Sequence, residues 1–479
     1  MPKGVARGPN MGDRSSPAVL YVAFAAFVAG LAMFFHQDAG TNPNSRLMLS
    51  LALVEHGTHV ADPWADATVD KAVINGHTYC DKAPLASYLA AVPLAVWRFV
   101  HGPIAPSEMS TAYHLAIATT SAIPFGIFAA LVLHRVLNAA AAVRGWPVWA
   151  VSLCLFGTFV WIYAGIFMAH TLAGLLLVAS YVLAAERGRW YLLAGLLGGC
   201  AGLTEYPLIL VQALIALALL VRRDRRAGLA LYLLGAAPPA AYLFIYNAII
   251  TGSPWVFPYQ YTVNFPVMHR LLGVGIPGWE ALWGLTLGLR RGLLFHAPVL
   301  LVLVPLIVRH PDAPPWRRRL VLGGAGLIVL FYATISYWDG GWCFGPRYLT
   351  AVVMLLVYEG CAAVVRCPRW RGGCLALGGV GLAFGLLAAA TDPMIDAEKA
   401  NPLLDWIWPR VRDGFVNPDN VLHELGFANG RYLIGVWLGL WALGTWAFAR
   451  WIASAVIGSQ TDERIGQPCT TAPSPPAVP

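Results

Sequence analysis

Charge is what this chain has least of. Asp, Glu, Lys and Arg make up 12% of its 479 residues, against roughly 25% in a soluble globular domain. So little charge cannot clothe a water-soluble fold of this length. Paired cysteines are missing as well. Eight cysteines are scattered with no C-x2-C spacing, which argues against a zinc or iron–sulfur centre built on them. Most of them, such as Cys154, Cys200 and Cys361, sit inside apolar runs as packing residues. No small-residue cleavage site follows the first apolar run, Pro17 to Phe35, so it reads as a retained span and not a signal peptide.

What is present is apolar: 58% of residues are hydrophobic and the mean hydropathy is +0.62. Runs approaching the roughly 20 residues that cross a bilayer recur along the chain. The chain is therefore an all-α polytopic membrane protein. Its net charge of +8 would suit a nucleic-acid partner. The arginines instead cluster between apolar runs, at Arg135 and Arg144, Arg222–Arg226, Arg309–Arg319 and Arg366–Arg371, which is the positive-inside pattern.

If every cluster is cytoplasmic, an even number of crossings separates consecutive clusters. The run from about 85 to 100 is short for a span, and parity makes it re-entrant or interfacial. The predicted spans are 17–35, 111–134, 147–165, 170–186, 190–204, 207–221, 227–250, 293–308, 320–337, 348–366, 373–391 and 431–449, about twelve in all (11–13), with TEYP breaking the fifth from the sixth. The divisions are a cytoplasmic N-terminus (1–16), a transmembrane module (17–250) containing an outer loop (36–110), a second outer loop (251–292), C-terminal helices (293–450) and a disordered cytoplasmic tail (451–479).

The large loops thus lie on the outer face, where any chemistry belongs. The first carries Asp38, Glu55, Asp62, Asp66, Asp70 and Asp81 with Arg46, Lys71 and Lys82. NSRLMLSLALVEHG predicts an amphipathic interfacial helix, capped by Asn44 or Ser45 and stopped at Gly57. Asp62 and Asp66 read as solvated loop residues. Asp81-Lys82-Ala83-Pro84 abuts an apolar segment. There Asp81 suits a divalent cation or positions the lysine, and Lys82 suits a phosphate. A simple exposed ion pair is the competing reading.

NSRLMLSLALVEHGTHV followed by GHTYCDKAP resembles the first periplasmic loop of the GT-C glycosyltransferases, in particular bacterial aminoarabinose transferases and protein O-mannosyltransferase-like proteins. The likeness covers most of residues 15–370 and includes FGPRYLTAVVMLLV and RRGLLFHAPVLL. It implies a polyprenyl-phosphate-linked sugar donor, a glycan, lipid or protein acceptor, and an active face outside the inner membrane. The sequence departs from the family at one place: Pro43 and Asn44 stand where relatives carry an acid just before the arginine. The base must then be Asp38 or Asp70. Lys82, Arg291 and Arg347, with Asn44, Arg46 and Trp342, make the lipid-phosphate and substrate set. Asp81 and His170 would hold a divalent cation (Mg, Mn or Zn), in a reaction that is metal-assisted or metal-independent.

Each of these residues has a plainer reading. His170 suits a buried carbonyl contact as well as a metal or acceptor. Glu205, in TEYP between two spans, is a functional candidate if at membrane depth, and otherwise belongs to a turn at the water surface. Arg290 suits a snorkelling side chain. Gly292 and Gly345 beside Arg291 and Arg347 permit close backbone approach, and arginine's planar fork matches phosphate. Trp338, Asp339 and Trp342 form an aromatic, acidic loop. Cys80 and Cys343 are placed where a disulfide could form. A transporter or flippase reading competes, against the absence of an inverted repeat. A lipid-binding GT-C scaffold without catalysis is the third reading, kept by the missing acid.

Overall fold

A computed structural model describes residues 17–139, 145–185, 190–309 and 314–465. The expected cytoplasmic N-terminus, Arg144, Arg187, Arg189 and the end of the expected tail lie outside these residues. The described residues are mainly helical, with one two-stranded hairpin. Its elements in order are α1 (Pro17–Met33), α2 (Thr41–His56), β1 (Ala72–Ile74), β2 (His77–Tyr79), α3 (Leu85–His101), α4 (Met109–Ile117), α5 (Ile123–Ala139), α6 (Trp146–Phe156), α7 (His170–Ala185), α8 (Trp190–Thr204), α9 (Ile209–Val221) and α10 (Arg226–Thr251). There follow α11 (Trp279–Thr286), α12 (Leu293–His296), α13 (Leu300–Arg309), α14 (Pro315–Ala333), α15 (Thr350–Arg366), α16 (Arg371–Ala390), α17 (Trp408–Arg412), α18 (Val421–Glu424) and α19 (Tyr432–Ile465).

Each predicted span falls on helical residues, but 147–165 divides into α6 and a bent 3-10 stretch, and 293–308 into α12 and α13. Among the described residues five helical stretches are long and apolar enough to cross a bilayer, or six if the bent pair Trp146–Phe156 and Phe159–Gly165 is one span; six more apolar helices are shorter. The break at TEYP is real: Glu205 is extended between α8 and a 3-10 turn that opens on Tyr206 and Pro207. Helix α19 continues to Ile465, past the expected boundary at 450.

The core is aromatic. Trp161 stacks on Trp437 at 5.2 Å, and the Trp437 indole donates to the Leu31 carbonyl at 2.9 Å. The first and last spans are thereby tied through the middle of the bundle. Helices α8 and α10 pack through small residues. A Cβ on Gly195 or Gly235 would overlap backbone of the facing helix, the arrangement by which apolar helices approach closely without a solvent-driven force.

Two loop helices differ from the sequence expectation. Helix α2 starts at Thr41, with Gly40 as its N-cap and Pro43 in the first turn. Asn44 does not cap it from outside but accepts the Gly40 N–H from within, at 3.1 Å. Gly57 does end it, in the left-handed region at φ 63°. Its residues from Ser45 to Ala52 are buried, because Ser45, Arg46 and Ser50 each bond to the chain at 80–87. The more surface-like helix is α3. It buries Ala86, Ser87, Ala90 and Leu94 and leaves Val92, Val96, Phe99 and Val100 exposed.

Candidate functional site

A hairpin builds the centre of the site. Strands β1 and β2 pair Ala72 with Tyr79 and Ile74 with His77 across an Asn75-Gly76 turn. Both turn residues have positive φ, 52° and 83°, as the tight two-residue hairpin requires. Continuing the register two residues past Ala72 and Tyr79 sets Asp70 against Asp81. The Asp-Lys motif therefore meets a second carboxylate. Lys82 Nζ lies 3.0 Å from Asp81 Oδ2 and 3.2 Å from Asp70 Oδ2. All three side chains are buried. Asp81 Oδ1 accepts the Ser45 hydroxyl at 3.0 Å, and the Tyr259 ring covers the ammonium at 5.2 Å. Tyr259 comes from the second loop, which pairs with the hairpin edge through Ala72 and Thr262.

This arrangement fixes the charges. Burial alone would pull the Lys82 ammonium down, but Asp81 and Asp70 hold it well above the ordinary lysine range. Burial pushes the Asp81 carboxyl up, against the opposing pull of Lys82. Removing one member of such a buried group leaves an uncompensated charge, which costs about 3–5 kcal/mol.

A second group adjoins the first through Arg46. Its Nε donates to Asn42 at 3.1 Å, its Nη1 to the Ala83 carbonyl at 3.2 Å, and its Nη2 lies 3.5 Å from Glu205 Oε1. His170 Nδ1 approaches the same Glu205 oxygen at 3.1 Å. Burial would raise the Glu205 carboxyl; His170, Arg46 and Arg347 together hold it below the usual range. Ala169, just before His170, is in the left-handed region at φ 66°, a rare conformation outside glycine that a functional constraint often maintains. Arg347 Nη1 approaches Met168 Sδ at 3.7 Å and its guanidinium lies 5.2 Å from the Tyr348 ring. Among the described residues, Arg347 Nε, His170 Nε2 and the Tyr206 hydroxyl are buried without a hydrogen-bond partner.

The other predicted residues lie apart from this centre or are already engaged. Asn44 is a clamp: it takes the Tyr113 hydroxyl at 2.5 Å and donates to the Ala67 carbonyl at 2.6 Å. Arg291 is fully buried and donates to the carbonyls of Asp339, Arg290, Gly341 and Ile395. Those contacts hold the 339–341 turn, whose Asp339 also pairs with Arg290. Trp342 is exposed and meets Trp406 edge-on at 6.2 Å. Cys80 and Cys343 are free thiols, and no disulfide joins them. Cys80 is instead turned to Ser45, at 3.4 Å, and Cys343 to the Gly345 carbonyl, also at 3.4 Å.

Asp38 occupies a different cluster, with His36, His114 and Glu424. Asp81 and His170, expected to share a cation, have separate partners in Lys82 and Glu205. Among the described residues the group of metal-ligating type is the one around Asp38. Sequence reasoning missed His36, His114 and Glu424 altogether. The H-x-D spacing of His36 and Asp38 was the available signal. It also passed over Asn75-Gly76, which marks the hairpin that carries Asp70 to Lys82.

No family model matches the sequence, and no curated protein matches it. Two solved structures do. ArnT from Cupriavidus metallidurans bound to undecaprenyl phosphate is 16% identical, with a TM-score of 0.51 over 93% of this chain and 78% of that one. The same protein in the apo state matches at 17% identity and a TM-score of 0.46, over 78% and 64% of the two chains. The likeness read from the first loop thus extends to three dimensions: the chain has a fold similar to that of ArnT from Cupriavidus metallidurans.

Proposed function

We propose that the chain is a membrane glycosyltransferase that moves a sugar from a polyprenyl-phosphate-linked donor to an acceptor on the extracytoplasmic face of the inner membrane, with about twelve helices crossing it. The observation that carries this reading is the hairpin that sets Asp70 3.2 Å from Lys82, with Arg347, its Nε unpartnered, in the adjoining group around Glu205. The fold likeness to a protein that binds undecaprenyl phosphate supports the donor class. A transporter would instead gather its charges near the bilayer midplane between repeats.

In this reading Asp70 accepts the proton of the acceptor hydroxyl as its oxygen attacks the anomeric carbon. The bond to the lipid phosphate breaks in the same displacement, inverting the anomeric centre. The departing phosphate takes the electron pair and is stabilised by Lys82 and Arg347. Glu205 and His170 position Arg46, which holds the Ala83 carbonyl and so the Asp-Lys motif. Asp70 takes the role of base over Asp38 because Lys82 lies beside it.

The test is single-turnover transfer from undecaprenyl-phosphate-linked sugar by protein in lipid nanodiscs, with a membrane extract as acceptor source. Asp70→Asn should lose the roughly 10²–10⁴-fold contribution of a general base while still binding undecaprenyl phosphate. Unchanged transfer by that variant would replace this mechanism, and absence of transfer by the unaltered protein would favour the lipid-binding scaffold.

A further inference from the structure

We propose that His36, Asp38, His114 and Glu424 form a transition-metal site of the zinc type, which fastens the 392–430 loop to the first loop. The site is separate from the proposed transfer centre and does not depend on it.

The spacing fits. His36 Nε2 lies 3.0 Å from His114 Nε2, 3.4 Å from Asp38 Oδ1 and 2.7 Å from Glu424 Oε1. His114 Nε2 lies 3.1 Å from the same Asp38 oxygen and 2.9 Å from the same Glu424 oxygen. Ligands on a tetrahedral ion with bonds of about 2.0–2.1 Å stand roughly 3.3 Å apart. These atoms need only a slight expansion to surround one.

The orientation of the His36 ring points the same way. His36 Nδ1 faces the Met33 carbonyl at 3.3 Å. A carbonyl can only accept, so Nδ1 carries a proton, and Nε2 is the ring nitrogen turned toward His114, Asp38 and Glu424. That nitrogen meets two carboxylate oxygens and another imidazole nitrogen. A backbone partner on the far ring nitrogen is the usual way in which a metal-binding histidine is oriented. Asp38 supplies an independent sign. Its Oδ1 is a buried atom with no hydrogen-bond partner, although both imidazoles are near. Its Oδ2 is held by the Ser110 hydroxyl at 2.5 Å, and its N–H by Asp419 at 3.3 Å. Four ligand atoms gathered this closely, one of them an unpartnered carboxylate oxygen, can be satisfied together by a cation.

Two imidazoles and two carboxylates select a borderline ion. Magnesium and calcium prefer more ligands, all of them oxygen. Three of the ligands come from the first 114 residues; Glu424, at the end of α18, comes from the far end of the chain. Backbone bonds already lay that loop alongside: Val421 N–H to the Phe34 carbonyl at 3.0 Å, and His36 N–H to the Asp419 carbonyl at 2.9 Å. The metal would lock a contact that the backbone has positioned.

The test uses the full chain in nanodiscs, stripped by chelator and titrated with zinc chloride. Bound metal is measured by mass spectrometry after gel filtration, and cleavage of the 392–430 loop by limited proteolysis. We expect one zinc per chain, and slower cleavage when it is bound. His114→Gln should abolish retention. Glu424→Gln should weaken it by at least the roughly 10–100-fold typical of even outer-shell partners and remove the protection. Glu424 is half exposed, so that variant reports even if His114→Gln does not fold. His77→Ala removes a surface His–Asp pair on the hairpin and should change neither readout. No retention by the unaltered chain, equal retention of magnesium, or full retention by Glu424→Gln with protection intact would each overturn the proposal.

Discussion

The stretch from Arg347, just before helix α15, to Glu359, near the middle of that helix, joins two buried ionic networks that follow opposite plans. At the far end Glu359 is saturated. Its Oε2 accepts Arg135 at 3.1 Å; its Oε1 accepts the Tyr181 hydroxyl at 2.7 Å and pairs with Arg317 at 3.1 Å. Arg317 closes the ring by donating to Tyr181 at 3.0 Å. The polar atom left over there, Arg135 Nε, belongs to a side chain that is 31% exposed and can reach water. At the near end, about 18 Å away at 1.5 Å per residue, Lys82 is shared by two carboxylates, and Arg347, His170 and Tyr206 each keep a buried polar atom unpartnered. Native proteins rarely leave buried polar groups unsatisfied without a reason. The closed network holds helices together; the open one has capacity for a ligand.

The largest effect that separates the ends should come from Lys82→Ala. It leaves Asp70 and Asp81 facing each other, so thermal unfolding should report a loss of about 3–5 kcal/mol. Undecaprenyl phosphate binding, followed by native mass spectrometry, should fall by about tenfold or more. Glu359→Gln comes next. It should cost about 1–3 kcal/mol of stability, with lipid binding unchanged; a parallel fall in binding would erase the distinction drawn here. Arg347→Ala should reverse that pattern. One charged bond to phosphate is worth about 1.5–3 kcal/mol, so binding should drop about tenfold or more, with little change in unfolding. The smallest effect concerns pH. The Glu205 carboxyl is held below its ordinary value, so the stability it contributes is present above roughly pH 4.3 and is lost as pH falls through the lower folded value. Glu205→Gln should flatten the stability profile in that acidic window; an unaltered profile would remove Glu205 from the network.

The helices were legible because apolar runs and arginine clusters are local signals. The predicted spans fell on helical residues, although 147–165 and 293–308 are each broken in two, and Gly57 ended α2 as its conformational freedom suggests. The site was legible only where its residues are neighbours in sequence. Asp81 and Lys82 stood out as a motif, whereas Asp70 joins them through a hairpin register that Asn75-Gly76 sets. Arg46, His170 and Glu205 meet across the bundle, and Glu424 reaches His36 from 388 residues away. No periodicity encodes such encounters. Arg291 shows the reverse case: glycine beside an outward arginine suggests a ligand site, while in the structure its donors turn to four carbonyls of its own surroundings.

The most direct test is a structure of the chain with undecaprenyl phosphate bound. The account predicts phosphate oxygens within about 4 Å of the Lys82 amine and the Arg347 guanidinium, the range of an ion pair, with Asp70 at the same site. A phosphate held instead at Arg135 and Arg317, or in the groove of about 670 Å³ lined by Arg222, Trp316 and Arg319, would contradict it.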